Sequence, residues 1–309
     1  MGKDSQGMAG VTLTALDALA EKVEQGEALS DDDAALLLES PDLVAIGMLS
    51  DQLRRQLHGA DTTFVRVFET HVDALPPALP AGTTAGEFRI VGTPASLDIA
   101  CGAIRTVRGL AGDAPLFGFA LHEIDALGGD PDEAFRRLKQ AGLDGIAEVA
   151  VDLTTSVRGI EAARNAGLLV LRATVQSPPR ELMQLIAHAR DLLAKAGGFR
   201  AFAPLARKLS VSTPTTGYDD VKTVALARLL LRDVQSIQVD WPLYGPKLAQ
   251  VGLIVGADDI DGVSAADPGV LGARRSPVEE IRGNIRAAGL TAVERNGRFE
   301  RTVGDGARG

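Results

Sequence analysis

The chain has 309 residues, of which 45% are hydrophobic and 24% are charged, and this composition suffices for one large globular core. Its formal net charge of -9 and the lack of a long basic run argue against nucleic acid as a partner. No apolar stretch approaches the roughly 18 residues that span a bilayer, and the N-terminus lacks the apolar core of a signal peptide, so we expect a cytoplasmic protein without a membrane partner.

The first 60 residues are predicted to form a helical N-terminal extension. Apolar residues recur at helical spacing in LTALDALAEKVEQG. The stretch SDDDAALLLES opens with a capping serine and an acidic first turn, and PDLVAIGMLSDQLRRQLHG closes on Gly59. Three helices therefore precede the first strand.

After the extension, short apolar runs alternate with amphipathic helices, which is typical of βαβ units with a parallel sheet. Eight strands with helices between them favour an α/β fold of the (β/α) TIM-barrel type over an open sheet, and we place the barrel at residues 61–263. The strands are predicted near residues 64–71, 88–92, 115–121, 146–151, 168–174, 199–203, 236–240 and 251–255.

The single cysteine, Cys101, falls in the predicted helix SLDIACGAIRTVRGLAG. One cysteine excludes an intrachain disulfide, a thiolate zinc site and a conventional iron–sulfur cluster held by this chain alone. Because Cys101 lies on the apolar side of the helix, we expect a small buried core residue.

Polar residues follow several of the predicted strands. In a parallel barrel the loops at the carboxyl ends of the strands converge on one mouth, so these residues are candidate site residues. They are Glu69, His71 and Asp73 after the first strand, Thr93 after the second, His122 and Glu123 after the third, Asp152 after the fourth, Gln176 and Ser177 after the fifth, and Asp240, Trp241 and Tyr244 after the seventh.

Two pairs among these candidates suggest chemistry. His122 and Glu123 are neighbours that could serve acid–base catalysis or bind a polar ligand. The alternative is that the two side chains form a pair with a purely structural role. His71 and Asp73 have the spacing with which barrel hydrolases begin a metal site. Such sites also need histidines on the fifth and sixth strands, which the sequence lacks, so we predict no metal site and take His71, His122 and Glu123 as the candidate catalytic residues.

Residues 213–263 resemble the C-terminal third of aminofutalosine synthase and its relatives, the radical S-adenosylmethionine enzymes of futalosine-dependent menaquinone synthesis and of deazaflavin synthesis. The segments TGYDDVKTVALARLLL, GPKLAQVGL and GADDIDG match in order and spacing, and EEIRGNIRAAGLTAVERN matches the closing helix and strand of the family. The helical extension and first strand are also similar. The resemblance implies a barrel of the radical S-adenosylmethionine kind, with a C-terminal closure and a disordered tail over residues 264–309.

Members of that family follow their first strand with Cys-x3-Cys-x2-Cys, which holds a four-iron cluster that binds S-adenosylmethionine. This chain has DALPPALPAGTT there instead, so we expect no iron–sulfur cluster and no radical chemistry, and predict no cofactor. The glycine-rich turn after the second strand reads IVGTPASLD and lacks the family's acidic residue. We therefore do not assign the family's S-adenosylmethionine site to this chain.

Two further segments have alternative interpretations. In the resembled family the VDWPLYGPK loop helps to shape the substrate pocket, and Asp240, Trp241 and Tyr244 would suit a ligand with a ring and hydroxyls. A rigid turn with Trp241 as packing is the alternative. GADDIDG carries three carboxylates but lacks the length and closing Glu of an EF-hand loop, so we predict a helix-capping turn rather than a metal site.

The sequence thus predicts a cluster-free divergent paralogue of aminofutalosine synthase, a pseudoenzyme with respect to radical chemistry, associated with menaquinone biosynthesis. It would bind a chorismate-derived or nucleoside-like small molecule in the barrel mouth, or act as a non-catalytic partner of a true radical enzyme or of itself. The predicted ligand-binding residues are Glu69, Asp73, Thr93, Gln176, Asp240, Trp241 and Tyr244. The alternative is a cofactor-independent or metal-assisted lyase or hydrolase of a small polar metabolite that uses His71, Asp73, His122 and Glu123.

Overall fold

The computed structural model describes residues 16–208, 214–266 and 277–302. Within these ranges ten strands, all in parallel pairings, form one sheet. They are β1 (Asp61–His71), β2 (Glu87–Val91), β3 (Leu116–Ala120), β4 (Gly145–Ala150), β5 (Leu169–Val170), β6 (Arg172–Val175), β7 (Ala201–Ala206), β8 (Ser236–Asp240), β9 (Asp259–Ser264) and β10 (Thr291–Arg295).

The sheet closes into a barrel because β9 pairs with β1. Around the barrel, β1, β2, β3, β4, β6, β7, β8 and β9 occupy eight positions, and the two-residue strand β5 precedes β6 in the fifth position. The predicted eight-stranded parallel barrel is therefore confirmed. The described part of the chain also forms eleven helices, and no helix within it is long and apolar enough to cross a bilayer.

Helices precede the barrel, cover its outside and follow it. They are α1 (residues 16–24), α2 (Asp31–Glu39), α3 (Leu43–His58), α4 (Leu97–Ala111), α5 (Leu121–Asp125), α6 (Pro131–Gln140), α7 (Arg158–Asn165), α8 (Leu182–Ala196), α9 (Gly217–Leu230), α10 (Trp241–Ile254) and α11 (Pro277–Ala287). One 3-10 turn, Val151–Leu153, follows β4.

The helix ends follow capping rules that the sequence already displays. The Ser30 hydroxyl accepts a hydrogen bond from the Asp33 backbone N–H (3.2 Å), and the Asp33 carboxylate accepts one from the Ser30 N–H (2.9 Å), which is a capping box at the start of α2. Gly59 ends α3 with a φ of 61°, a left-handed backbone that glycine adopts without strain.

The main apolar core lies between the barrel and its helices. Phe64, Ile90 and Ile146 project outward from the strands into this layer, together with Phe135 and Leu138 of α6, and all are at most 1% exposed. Cys101 is buried in the same layer, as expected. The inside of the barrel is different, because much of it is filled by charged side chains.

The prediction for the eighth strand was wrong. Residues 251–255 form the end of α10 and its C-cap, and the last strand of the barrel is β9, six residues long. The segment GADDIDG is therefore mostly strand rather than a helix-capping turn. Its carboxylates Asp259 and Asp261 are fully buried inside the barrel, where arginines pair with them, so a strand with acidic residues can be buried.

The elements outside residues 61–263 attach to the barrel at several places. Lys222 of α9 donates hydrogen bonds to the backbone carbonyls of Leu38 (2.5 Å) and Ser40 (2.8 Å) at the C-terminal end of α2, which helps to hold the N-terminal helices against the barrel. One edge of β1 has two partners: the first half of β1 pairs with β10, and the second half pairs with β2. The proposed domain boundaries stay a prediction, and the predicted disordered tail lies outside the described residues.

Candidate functional site

A cavity of about 390 Å³ opens at the carboxyl ends of the barrel strands. It is lined by Glu69, Arg89, Ile90, Val91, Gly92, Thr93, Phe119, Ala120, His122, Glu123, Ala147, Glu148, Gln176, Arg207 and Lys208. We call this cavity the mouth. A larger groove of about 700 Å³ lies on the outside between α1 and α3, but it is remote from the strand ends at which barrel chemistry is found.

Buried ion pairs form the floor of the mouth. Arg89 donates to both carboxylate oxygens of Asp261, at 2.9 Å each, and its Nε donates to Glu87 at 2.7 Å. Arg172 approaches Glu87 at 3.2 Å and Asp261 at 3.5 Å. Burial alone would raise the pKa of Asp261, but Arg172 and Arg89 outweigh it and hold the pKa well below its usual range.

A second set of ion pairs, centred on Arg207, lies beside this floor. The Arg207 guanidinium pairs with Asp240 and lies 3.1 Å from Glu148. The Gln176 amide donates to the other oxygen of Glu148 at 2.6 Å, and the Leu243 N–H donates to Asp240 at 2.9 Å. Both carboxylates are therefore held by protein groups and are not free to bind a ligand without rearrangement.

Glu69 differs from these carboxylates because, within the described ranges, it has no hydrogen-bond or ion-pair partner. The side chain is exposed to the mouth, while protein surrounds its other sides. Desolvation raises the pKa of Glu69, Arg89 opposes the shift, and the negative charges of Asp261 and Asp240 add to it. Glu69 is thus a carboxyl group that can accept or release a proton, or pair with a ligand.

His122 and Glu123 stand on α5, which begins directly after β3. The Glu123 carboxylate accepts hydrogen bonds from the Ala120 N–H (2.8 Å) and the Thr93 hydroxyl (3.1 Å), so it holds the start of α5 and the β2 loop together. The His122 Nδ1 atom is buried and has no hydrogen-bond partner in the described structure. Phe119, the penultimate residue of β3, has a φ of 59°, which is uncommon outside glycine and is typical of strained sites.

His71 and Asp73 lie at the rim but outside the lining of the mouth. The His71 ring packs so closely on Gly92 that a Cβ atom at this position would overlap the His71 Nε2 atom. The Asp73 N–H donates to His71 Nδ1 at 3.3 Å. The structure therefore places these two residues together, as their spacing predicts, but does not bring them into the mouth with His122.

Trp241 and Tyr244 belong to the first turn of α10, and neither lines the mouth. The Tyr244 hydroxyl donates to the Ala206 carbonyl at 2.6 Å, and Trp241 packs against the apolar core. Gly245 interrupts this helix with a φ of 72°. Of the predicted ligand-binding residues, Glu69, Thr93 and Gln176 line the mouth and Asp240 contacts it through Arg207.

The residues of the chain do not fit a four-iron cluster. Such a cluster needs several thiolates, and Cys101, the one cysteine, is buried in α4 away from the mouth. Among the described residues, no group of three or more His, Cys, Asp or Glu side chains is placed to hold a metal ion.

The candidates Asp152 and Ser177 have a structural contact. The Asp152 carboxylate accepts a hydrogen bond from the Ser177 N–H at 3.0 Å and so fixes the loop after β6.

Sequence reasoning missed the arginines of the mouth. Arg89, Arg172 and Arg207 are not among the predicted site residues, because an arginine within an apolar run does not by itself indicate a side chain inside the barrel. A signal was present, since Glu87 and Arg89 lie two residues apart in EFRIV and must therefore share one face of the strand. Paired charges at this spacing indicate a polar barrel interior.

Comparisons with known proteins bear on the ancestry of the chain. Residues 198–304 match the family described as the CofH/MqnC C-terminal region. The aminodeoxyfutalosine synthase of Thermus thermophilus is 28% identical, over 82% of this chain and 86% of that protein. The 5-amino-6-(D-ribitylamino)uracil--L-tyrosine 4-hydroxyphenyl transferase 2 of Methanosarcina barkeri is 28% identical over 53% of this chain and 52% of that protein, so the chain spans about half its length.

Solved structures agree with the fold. Methylornithine synthase superposes with a TM-score of 0.64 at 12% identity, over 89% of this chain and 97% of that chain. The FeFe-hydrogenase maturase HydG of Carboxydothermus hydrogenoformans superposes with a TM-score of 0.61 at 13% identity, over 93% of this chain and 83% of that chain. The comparisons confirm both the barrel and the resemblance to the aminofutalosine synthase-like family.

Proposed function

We propose that this chain, a relative of the aminofutalosine synthase-like radical S-adenosylmethionine enzymes, is a cluster-free divergent paralogue that binds a small molecule in its barrel mouth. We further propose an association with menaquinone biosynthesis by the futalosine route, a chorismate-derived or nucleoside-like ligand, and a cytoplasmic location. The observation that carries the proposal is the polar mouth at the carboxyl ends of the barrel strands, in a chain whose single cysteine lies away from this cavity.

The chemistry of the mouth supports a polar ligand of moderate size. A cavity of about 390 Å³ lies within the range of small-molecule sites. Val91 offers apolar contact, and Glu69 offers carboxylate oxygens that have no hydrogen-bond or ion-pair partner among the described residues. A ring with polar substituents would satisfy both kinds of surface.

The absence of a thiolate set supports the cluster-free part of the proposal. Radical cleavage of S-adenosylmethionine requires an electron from the cluster, and a single thiolate cannot hold four irons. After anaerobic reconstitution with iron and sulfide, we expect less than one iron per chain and no formation of 5'-deoxyadenosine. A brown protein that cleaves S-adenosylmethionine would refute this part.

Ligand binding is tested by thermal denaturation with compounds that the relatives' names suggest. We expect at least one of aminodeoxyfutalosine, chorismate, 5-amino-6-(D-ribitylamino)uracil and L-tyrosine to raise the melting temperature in a concentration-dependent manner. The same compound should have a weaker effect on Gln176→Ala, which removes a mouth contact, than on the exposed control Glu161→Gln. If none of the four changes the melting temperature, a futalosine-type ligand is contradicted.

A role as a non-catalytic partner remains part of the same proposal. In that case the chain would bind a true radical paralogue, or a second copy of itself, and would raise the activity or solubility of that enzyme. Co-expression of the two chains followed by size-exclusion chromatography measures this directly. Separate elution at micromolar concentration would contradict the partner role and leave ligand binding intact.

The second candidate is a cofactor-independent or metal-assisted lyase or hydrolase. The unbonded Nδ1 of His122 and the strained Phe119 beside it favour this alternative, because both are features that catalytic sites retain at a cost to stability. His122→Asn should abolish turnover of a substrate found by screening, whereas His188→Asn on the outer helix α8 should not. Stoichiometric zinc or manganese in the purified protein would support the metal-assisted form.

A further inference from the structure

The unpaired state of Glu69 sets it apart from every other carboxylate at the mouth. Asp261 receives both N–H groups of Arg89, and Glu148 and Asp240 are held by Arg207. Glu123 accepts from the Ala120 N–H and the Thr93 hydroxyl. Within the part of the chain that the structure describes, Glu69 is the one carboxylate of this set that has no hydrogen-bond or ion-pair partner.

The charges of the described residues around the mouth do not balance. Among these residues three arginines face five carboxylates, and the groups are Arg89, Arg172, Arg207, Glu69, Glu87, Glu148, Asp240 and Asp261. Glu123 and Lys208 at the rim contribute one charge of each sign and leave the excess unchanged. An excess of negative charge in a poorly solvated site is unfavourable, and a cation beside Glu69 would relieve it.

The surroundings of Glu69 also limit what such a cation could be. The chain's own side chains make no cluster that holds a metal ion within the described ranges. Val91, which is only partly buried and shares the inward face of β2 with Arg89, lines the same cavity, so apolar surface is available at the mouth. A flat organic cation fits this combination better than a hydrated metal ion, because its ring can contact the apolar wall while its nitrogen meets Glu69.

We propose that the mouth selects ligands in which a protonated nitrogen, an amine or amidine, is attached to a planar ring, and that Glu69 binds this nitrogen. The inference rests on the proposed function, since it concerns the ligand of the same cavity. Glu69 forms the charged anchor, and His122 lines the same cavity, so its ring reports on a ligand bound there. A neutral ring of the same shape would leave the excess charge uncompensated and should bind more weakly.

The test uses benzamidine and benzamide, which share a shape but differ in charge. The chain contains four histidines, so a protein labelled with ¹⁵N-histidine gives few signals. His122 lines the mouth, whereas His188 hydrogen-bonds the Val151 and Thr154 carbonyls on the outside of the barrel and serves as the internal reference. Titration of each probe, followed at both signals, gives its dissociation constant at the mouth.

We expect benzamidine to bind about tenfold more tightly than benzamide, a difference equivalent to about 1.4 kcal/mol. The preference should vanish in Glu69→Gln, persist in the exposed control Glu161→Gln, and remain in Glu69→Asp, which keeps the charge. Equal affinities in the wild type, or a preference that survives Glu69→Gln in a folded protein, overturn the inference and leave the proposed function standing. If neither probe shifts the His122 signal, the inference fails, and the proposed function is then decided by the thermal denaturation test with the four larger compounds.

Discussion

Asp261→Asn is the sharpest test of the charged barrel interior. In the wild type three arginines converge on this fully buried carboxylate: Arg89 at 2.9 Å, Arg172 at 3.5 Å and Arg207 at 3.8 Å. Asparagine conserves the shape but removes the charge and turns an N–H₂ group toward the arginines. Because the substitution removes the charged acceptor of the Arg89 N–H groups and leaves buried donors facing an N–H₂ group, we expect a loss of about 3–5 kcal/mol in the free energy of unfolding.

Differential scanning fluorimetry measures this loss as a change in melting temperature. At about 2–4 °C per kcal/mol for a large domain, Asp261→Asn should melt roughly 10 °C below the wild type at pH 7. The matched control is Asp98→Asn. Its partner Arg137 lies on the surface and the Asp98 side chain is 84% exposed, so the control should lose no more than about 1 kcal/mol.

The difference between wild type and Asp261→Asn should depend on pH in one direction. The folded-state pKa of Asp261 is depressed, so its contribution to stability is fully present above the unfolded pKa of about 3.9. The contribution is lost as pH falls through the folded-state pKa. The gap between the two melting curves should therefore be constant near neutral pH and narrow below about pH 4. Equal melting of Asp261→Asn and Asp98→Asn at pH 7 would refute the reasoning.

Three further substitutions test other parts of the structure. Arg295→Leu removes the guanidinium that donates to both oxygens of the buried Asp259, at 2.6 and 2.7 Å. The free energy of unfolding, measured by urea denaturation, should fall by about 3–5 kcal/mol. The control Arg301→Leu, on the surface, should lower it far less. Gly92→Ala should cost at least about 1–3 kcal/mol, because alanine is strained at a φ of 93° and its Cβ would collide with His71; adding His71→Ala should recover only part of the loss. Glu69→Gln should melt above the wild type at pH 8, because the raised pKa of Glu69 makes its ionisation unfavourable in the folded state. The two melting temperatures should converge toward pH 4, and a lower melting temperature of Glu69→Gln at pH 8 would contradict the unpaired state of Glu69.

The local pattern of the sequence was enough to predict most of the barrel. Apolar runs of strand length, separated by amphipathic helices, specify βαβ units because the periodicity of each element fixes which face is buried. The capping serine of α2 and the closing glycine of α3 fixed helix ends for the same local reason. The placement of Glu69, Thr93, His122, Glu123 and Gln176 at the mouth followed from one topological rule about strand ends.

The pairing of charges could not be read from the chain in the same way. Arg89 and Asp261 are 172 residues apart, and only closure of the barrel through β1 and β9 brings their side chains together. Without a known partner, three carboxylates in GADDIDG indicate a turn, because an unpaired buried charge is too costly. The sequence by itself determined the elements and their order, since these depend on neighbours along the chain. The tertiary structure decided which charges neutralise one another and left Glu69 without a partner among the described residues, since that depends on distances across the closed barrel.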